Sequence, residues 1–319
     1  MSLTHPETPV AGARDAAAVP LQADGAPAVT RVITARRGTR VRLREIIRYH
    51  ELLTGMIKKE LKVKYKNSVL GFLWTMVNPA LYLLVFWIVF TKFLPNGVPQ
   101  FELYFLSGLL IWNLFNNTSG AACGSVVGSA GIVKKVYFPR EILPLAHVGA
   151  NLVHFFLQMI VLVIAFIGFR HQIDWGLLWM LPPTLLVLLL FTAGLGLFLA
   201  AVNVYLRDTQ HMLELVLLAW FWMSPVVYTY VSVANRAGWY ISLWKLNPIT
   251  WILLPFQRTL YNKTFYVPKG QTVPVQLLPT DNAWWYMRGV GIVFLFSVAL
   301  FFFAMWVFGR AEGNFAEEL

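Results

Sequence analysis

Few side chains in this 319-residue sequence are placed to make or break bonds. His147, Asn151, His154 and Gln158 step by four, three and four, which puts them on one face of a helix. A proton relay along that face would need a carboxylate nearby. The apolar stretch that holds them, Leu145–Phe169, has none. These groups, like Asn113, Asn116 and Asn117, are therefore expected to hydrogen-bond to neighbouring helices. Cys123 is the single cysteine; it makes no intrachain disulfide and lacks the companions of a metal site. Glu102, Asp174 and Asp281 are the acids that would serve a membrane enzyme using a polyprenyl-phosphate sugar, and they are scattered. The sequence contains no G-x-x-x-x-G-K-[ST], so it has no P-loop for ATP phosphates. No catalytic and no metal-binding residue is assigned.

What remains are constellations of charge and of aromatic rings. Lys58, Lys59, Lys62, Lys64 and Lys66 crowd one short stretch. Lys134, Lys135, Val136, Tyr137, Phe138, Pro139, Arg140 and Glu141 form a mixed charged and aromatic segment, and Arg207-Asp208 a smaller one. Phe86, Trp87, Phe90, Trp220, Phe221, Trp222 and Tyr228 concentrate rings in two apolar stretches. Such rings can stack on the apolar faces of sugars, although Trp and Tyr also form belts at membrane interfaces.

The elements that must hold these groups follow from composition. The chain is 58% hydrophobic and only 13% charged, far from the quarter charged that is usual for soluble domains. A bilayer core needs about 20 apolar residues in a helix. Six stretches qualify: Val69–Thr91, Leu103–Val127, Leu145–Phe169, Leu177–Val202, Leu215–Ala234 and Gly289–Gly309. None contains Asp, Glu, Lys or Arg. Backbone groups in lipid must be satisfied within the segment, so these read as helices, with local kinks expected at Pro79, Pro182, Pro183 and Pro225. The fold class is thus an all-α polytopic membrane protein.

Residues 1–40 read as a disordered cytoplasmic tail, 41–68 as an amphipathic surface helix, 69–309 as the six-span domain and 310–319 as a cytoplasmic C-terminal tail. With the N-terminus inside, 18 Lys/Arg fall on the cytoplasmic side and eight on the other, which favours both termini inside. The net charge of +11 sits mostly beside the first span, which suits anionic lipid and not nucleic acid. Between spans five and six, an outer segment over 235–283 contains Leu246–Gln257. That piece is apolar but too short to cross, as in a re-entrant or interfacial helix. Its continuation, Lys263–Asn282, reads as irregular and solvent-facing.

Four segments carry a resemblance. Lys64-Tyr65-Lys66-Asn67-Ser68-Val69-Leu70-Gly71, followed by Trp74 and Asn78-Pro79, is similar to the start of type-2 ABC exporter permeases. The nearest likeness is to the branch that exports lipid-linked polysaccharides such as O-antigens, teichoic acids and actinobacterial galactan. Tyr137–Pro144 resembles that branch's first cytoplasmic loop, Asn203–Thr209 its second, and Asn247-Pro248 with Phe256-Gln257-Arg258 the segment before its last span.

The resemblance implies a homodimer in the bacterial inner membrane, bound to two copies of a separate ATPase that holds ATP and Mg. It makes 41–68 an interface helix, Lys134–Glu141 with Arg207-Asp208 the ATPase-coupling contacts, and the aromatic set the channel lining. Asn247, Pro248, Trp251 and Phe256 become an outer gate. Lys64 or Lys66 would meet a lipid diphosphate. The cargo would be a polyprenyl-diphosphate-linked polysaccharide. A drug or natural-product permease is the alternative on the same fold.

Overall fold

In a computed structural model of the chain, residues 39–93, 98–234, 245–266, 275–279 and 282–319 are described. Nearly all of the expected 1–40 tail, and parts of the outer 235–283 segment, lie outside them. The expected surface helix over 41–68 is two helices, α1 (Thr39–Arg48) and α2 (His50–Tyr65). Tyr49 leaves helical geometry between them, at φ −92 and ψ 27. Asn67 and Gly71 then take left-handed backbone, at φ 61 and 53, and Gly71 N–H donates to Ser68 Oγ at 3.0 Å. The Asn and Gly of that motif are thus the residues that turn the chain into the first apolar helix, since Gly and Asn enter this region most easily.

Among the described residues, four helices are long and apolar enough to cross a membrane. The first is α3 (Leu73–Ile88), prolonged by a π turn to Phe93. The others are α6 (Ile142–Gly168), α7 (Leu181–Tyr205) with the 3₁₀ turn Trp175–Met180 before it, and α11 (Ala283–Ala311). Helix α4 (Phe101–Gly128) has 28 residues but is less apolar, because Asn113, Asn116, Asn117, Thr118 and Ser119 interrupt it. The expected fifth span, Leu215–Ala234, is not one helix. Helix α8 (Thr209–Trp222) stops, and a short α9 (Tyr230–Ala234) follows. Pro225 lacks the N–H that a continuing helix needs and disfavours helical geometry at Ser224. Pro182 and Pro183 make no kink of the expected kind. They sit in the first turn of α7, where the missing N–H groups would have had no partner.

Helix α4 is the centre of the packing. Leu103, Phe105, Leu110 and Phe115 are buried against Leu188 and Phe191 of α7 and Phe256 of α10 (Pro248–Leu260). Helix α10 is buried from Ile249 to Leu260 except at Trp251, which is half-buried. Beyond it the described residues are neither wholly irregular nor wholly solvent-facing. Strands β1 (Phe265–Tyr266) and β2 (Val275–Gln276) pair antiparallel, Phe265 opposite Gln276, and Leu277 and Leu278 are buried. The described fold is therefore helical with one small hairpin.

Candidate functional site

The loop expected to couple begins where α4 ends. A single turn, α5 (Ala130–Val133), leads to Lys134, Lys135, Val136 and Tyr137, all exposed, with Tyr137 67% accessible. Phe138, at 4%, and Pro139 turn inward. The segment thus has an outer half that a partner can touch and an inner half that anchors it.

The anchor is an ionic cluster that no local sequence pattern announces. Arg42 of α1 donates through Nη1 to Glu141 Oε1 and to Glu312 Oε2, each at 2.5 Å, and through Nη2 to the Gly309 carbonyl at 3.3 Å. Arg140 donates to the Glu312 carbonyl at 2.5 Å and lies over the Phe315 ring. Phe315, in α12 (Phe315–Glu318), is fully buried beside Phe308 and Tyr205. The expected C-terminal tail is therefore folded under the loop. Burial alone would lower the Arg42 pKa, but Glu312 and Glu141 outweigh it and hold the pKa above its ordinary value. Burial, and then Glu312, pushes the Glu141 carboxyl above the usual range against the pull of Arg42. Arg207 and Asp208, in the second short loop, are exposed.

Lys58, Lys59, Lys62, Lys64 and Lys66 are also exposed along α2 and its end. Lys59 pairs with Glu60, at 3.1 Å. The inner side of α2 covers the polar face of α6. Tyr65 Oη bonds to Thr75 and to His154 Nδ1, the latter at 2.8 Å, while His147 Nδ1 lies 3.9 Å from Glu60.

The expected channel-lining rings separate into different surroundings. Phe86 stacks on Phe105 with centroids 3.6 Å apart, and Phe90 packs on Phe101. Phe86, Phe221 and Trp222 face a groove of about 700 Å³ between α3, α4 and α8. Trp220 instead faces a second, apolar cavity of about 510 Å³ beside Trp251, Leu246 and Phe296. Trp87 is exposed at 38%, and Tyr228 Oη donates to the Trp222 carbonyl at 2.7 Å, bracing the break after α8.

The four expected gate residues fall on or just before α10. Asn247 caps the helix and Pro248 occupies its first turn. Asn247 Oδ1 accepts from Ile249 N at 3.0 Å and from Trp220 Nε1 at 2.8 Å. Its Nδ2 donates to the Met223 carbonyl at 3.2 Å and to Ser224 Oγ at 3.0 Å. Every hydrogen-bonding position of one buried amide is used, which joins α10 to the end of α8. Asn247→Ala is expected to lower stability by about 2 kcal/mol, from the lost cap and the stranded Trp220 N–H. Asn247→Asp keeps the cap and loses both donations, and thermal unfolding in detergent should place both variants below the parent.

Trp251 lies over Gly289 and donates to the Lys245 carbonyl at 2.6 Å. Phe256 is buried against Phe155. At the other end of α10, Lys263 donates to Gln100 Oε1 at 3.0 Å and Tyr261 Oη to the Pro99 carbonyl at 2.6 Å. Burial holds the Lys263 pKa below its ordinary value, against the pull of Glu102. Asp174 is occupied as a cap, accepting from Gly176 N, and Asp281 lies outside the described residues.

The family described as ABC-2 type transporter matches residues 51–261. An O-antigen export system permease protein RfbA of Myxococcus xanthus is 32% identical over 219 residues, covering 69% of this chain and 84% of that protein. A protein of the same name from Klebsiella pneumoniae is 29% identical, over 66% of this chain and 81% of its own length. A polysialic acid transport protein KpsM of Escherichia coli is 22% identical, over 62% and 77%.

Proposed function

The chain belongs to the ABC-2 type transporter family, and from that premise we propose that it is the membrane permease subunit of an ATP-driven exporter of a lipid-linked polysaccharide. The carrying observation is the similarity to permeases named for O-antigen export, which extends over more than four fifths of the Myxococcus relative. Capsule-type relatives agree on polysaccharide as the cargo class. The chain is a transport subunit; ATP and Mg bind a separate ATPase. The polyprenyl-diphosphate carrier and the direction from cytoplasm to outer face belong to this proposal.

Six crossings complete the reading. Helix α4, at about 1.5 Å per residue, is long enough to span and buries its polar side chains in protein or toward a groove, where the membrane tolerates them. Helix α8 with the residues to Ala234 makes the remaining crossing, and α10 is the short outer gate. The charge asymmetry supports cytoplasmic termini in the inner membrane. Two copies of the chain with two ATPases would form the working unit. Lys134, Lys135, Val136, Tyr137, Arg207 and Asp208 are the exposed surface for the ATPase. Phe138, Pro139, Arg140 and Glu141 transmit its movement to α1 and α11 through Arg42 and Glu312.

Deleting the chain should leave lipid-linked glycan accumulating inside the cell and the surface polymer lost, both restored by the intact gene. The purified chain without its ATPase should hydrolyse no ATP. Normal surface polymer in the deletion strain, with no internal accumulation, would defeat the proposal.

A further inference from the structure

Asn113, Asn116 and Asn117 follow one another at helical spacing, and Gly120 continues their face a turn later. They were expected to bond to neighbouring helices. Among the described residues, no protein hydrogen bond reaches any of their side chains. They face the 700 Å³ groove between α3, α4 and α8 instead. An amide turned to hydrocarbon without a partner is strongly disfavoured, so a face carrying three of them at membrane depth must meet water, a polar solute or the second copy of the chain.

The rest of the lining narrows the solute. Trp112, Phe221 and Trp222 present rings on the same groove. Rings beside unpartnered amides are the combination that a sugar chain needs: ring faces for its C–H surfaces, amide donors and acceptors for its hydroxyls. The lining holds no Lys, Arg or His, and its one carboxylate is Glu214, exposed on α8. A groove with one carboxylate and no cation repels a polyanion and accepts a neutral one.

We propose that this groove is a hydroxyl-binding track for an uncharged glycan, with Asn113, Asn116 and Asn117 as successive amide contacts and Glu214 selecting against anionic chains. The proposal rests on the export reading above and adds the charge class of the cargo. Three weak contacts in a row suit a polymer that must slide: each residue of sugar finds the same partners one step later, and none is held tightly.

The test uses the complete complex with its ATPase in proteoliposomes, this chain carrying Cys123→Ala so that it holds no other thiol, and the label is read on this chain after separation from the ATPase. Asn113→Cys, Asn116→Cys and Asn117→Cys should react with a charged, water-soluble methanethiosulfonate about tenfold faster than Ile164→Cys, an exposed position on the apolar α6. Maltoheptaose, a neutral glycan, should slow the reaction, and oligosialic acid should not; Glu214→Gln should let both slow it. Reaction as slow as at Ile164→Cys, no protection by maltoheptaose, or equal protection by both sugars in the parent would overturn the track. In cells, Asn116→Leu with Asn117→Leu should cut surface polymer about tenfold while the ATPase still copurifies, the loss of two or three polar contacts being of that order. Unchanged surface polymer in that variant overturns the track and leaves the export reading standing. Protection by maltoheptaose in a chain whose deletion leaves surface polymer intact has the opposite meaning.

Discussion

Arg42→Leu is expected to produce the largest loss of stability of any single substitution in the cluster of Arg42, Glu141 and Glu312. The guanidinium bridges Glu141, 1% exposed in its side chain, and Glu312. Without it two carboxylates face each other across a buried site, and Glu141 is already pushed toward protonation by burial and by Glu312. Breaking a buried ion pair by removing one member costs about 3–5 kcal/mol, because the other charge stays behind. The loss should begin locally. Limited proteolysis should cut residues 312–319 in the variant and spare them in the parent, and the ATPase should copurify poorly.

Arg44→Leu, at an exposed position two residues further along α1, is the control and should change little. Arg42→Lys should rescue only in part, since an ammonium cannot serve both carboxylates and the Gly309 carbonyl with one rigid fork. Glu141→Gln with Glu312→Gln should recover much of what Arg42→Leu loses. If Arg42→Leu binds the ATPase as the parent does and its C-terminus resists protease, the assigned transmission route is wrong.

Gly289→Ala is the second large effect. A Cβ built at Gly289 would stand 2.0 Å from Trp251 Cε3 and 2.7 Å from Cδ2. The obstructing atoms belong to a rigid ring that is also tethered through Nε1 to the Lys245 carbonyl and packed on Trp285. The ring cannot step aside, so α10 must shift from α11. Overpacking of this kind costs about 1–3 kcal/mol, and the rigid tethered neighbour puts this case at the upper end. Export should fall with it, because the displaced element is α10, the helix proposed above as the outer gate. Trp251→Leu in the Gly289→Ala background should restore stability, and a double-mutant cycle measures the coupling. Gly291→Ala, where an added Cβ meets nothing, should be silent. Equal melting temperatures for Gly289→Ala and the parent would show that the gate is not seated through this contact.

Much of the site was legible because its causes are local. Asn247-Pro248 reads as a helix start from its residue types alone, and the structure adds that the same amide also ties in Trp220, Met223 and Ser224. Asn67 and Gly71 mark a turn for reasons of backbone sterics. The rings of Phe221 and Trp222 were named as channel candidates, and the groove they face could not be read from sequence, because it needs α3 and α4 beside them. The fifth apolar stretch was long enough to span, yet Pro225 divides it, a local signal that length and hydropathy overrode.

Hydropathy, helix caps and the order of motifs along the chain determined the membrane class, the helices and the family, since each depends on residues within a few turns of one another. Tertiary structure alone decided which half of Lys134–Glu141 is exposed, that Arg42 meets Glu141 and Glu312 at separations of 99 and 270 residues, and that Asn113, Asn116 and Asn117 face a groove rather than a helix. Such pairings are set by which helix surfaces come together, and distant charges carry no local mark of their partners.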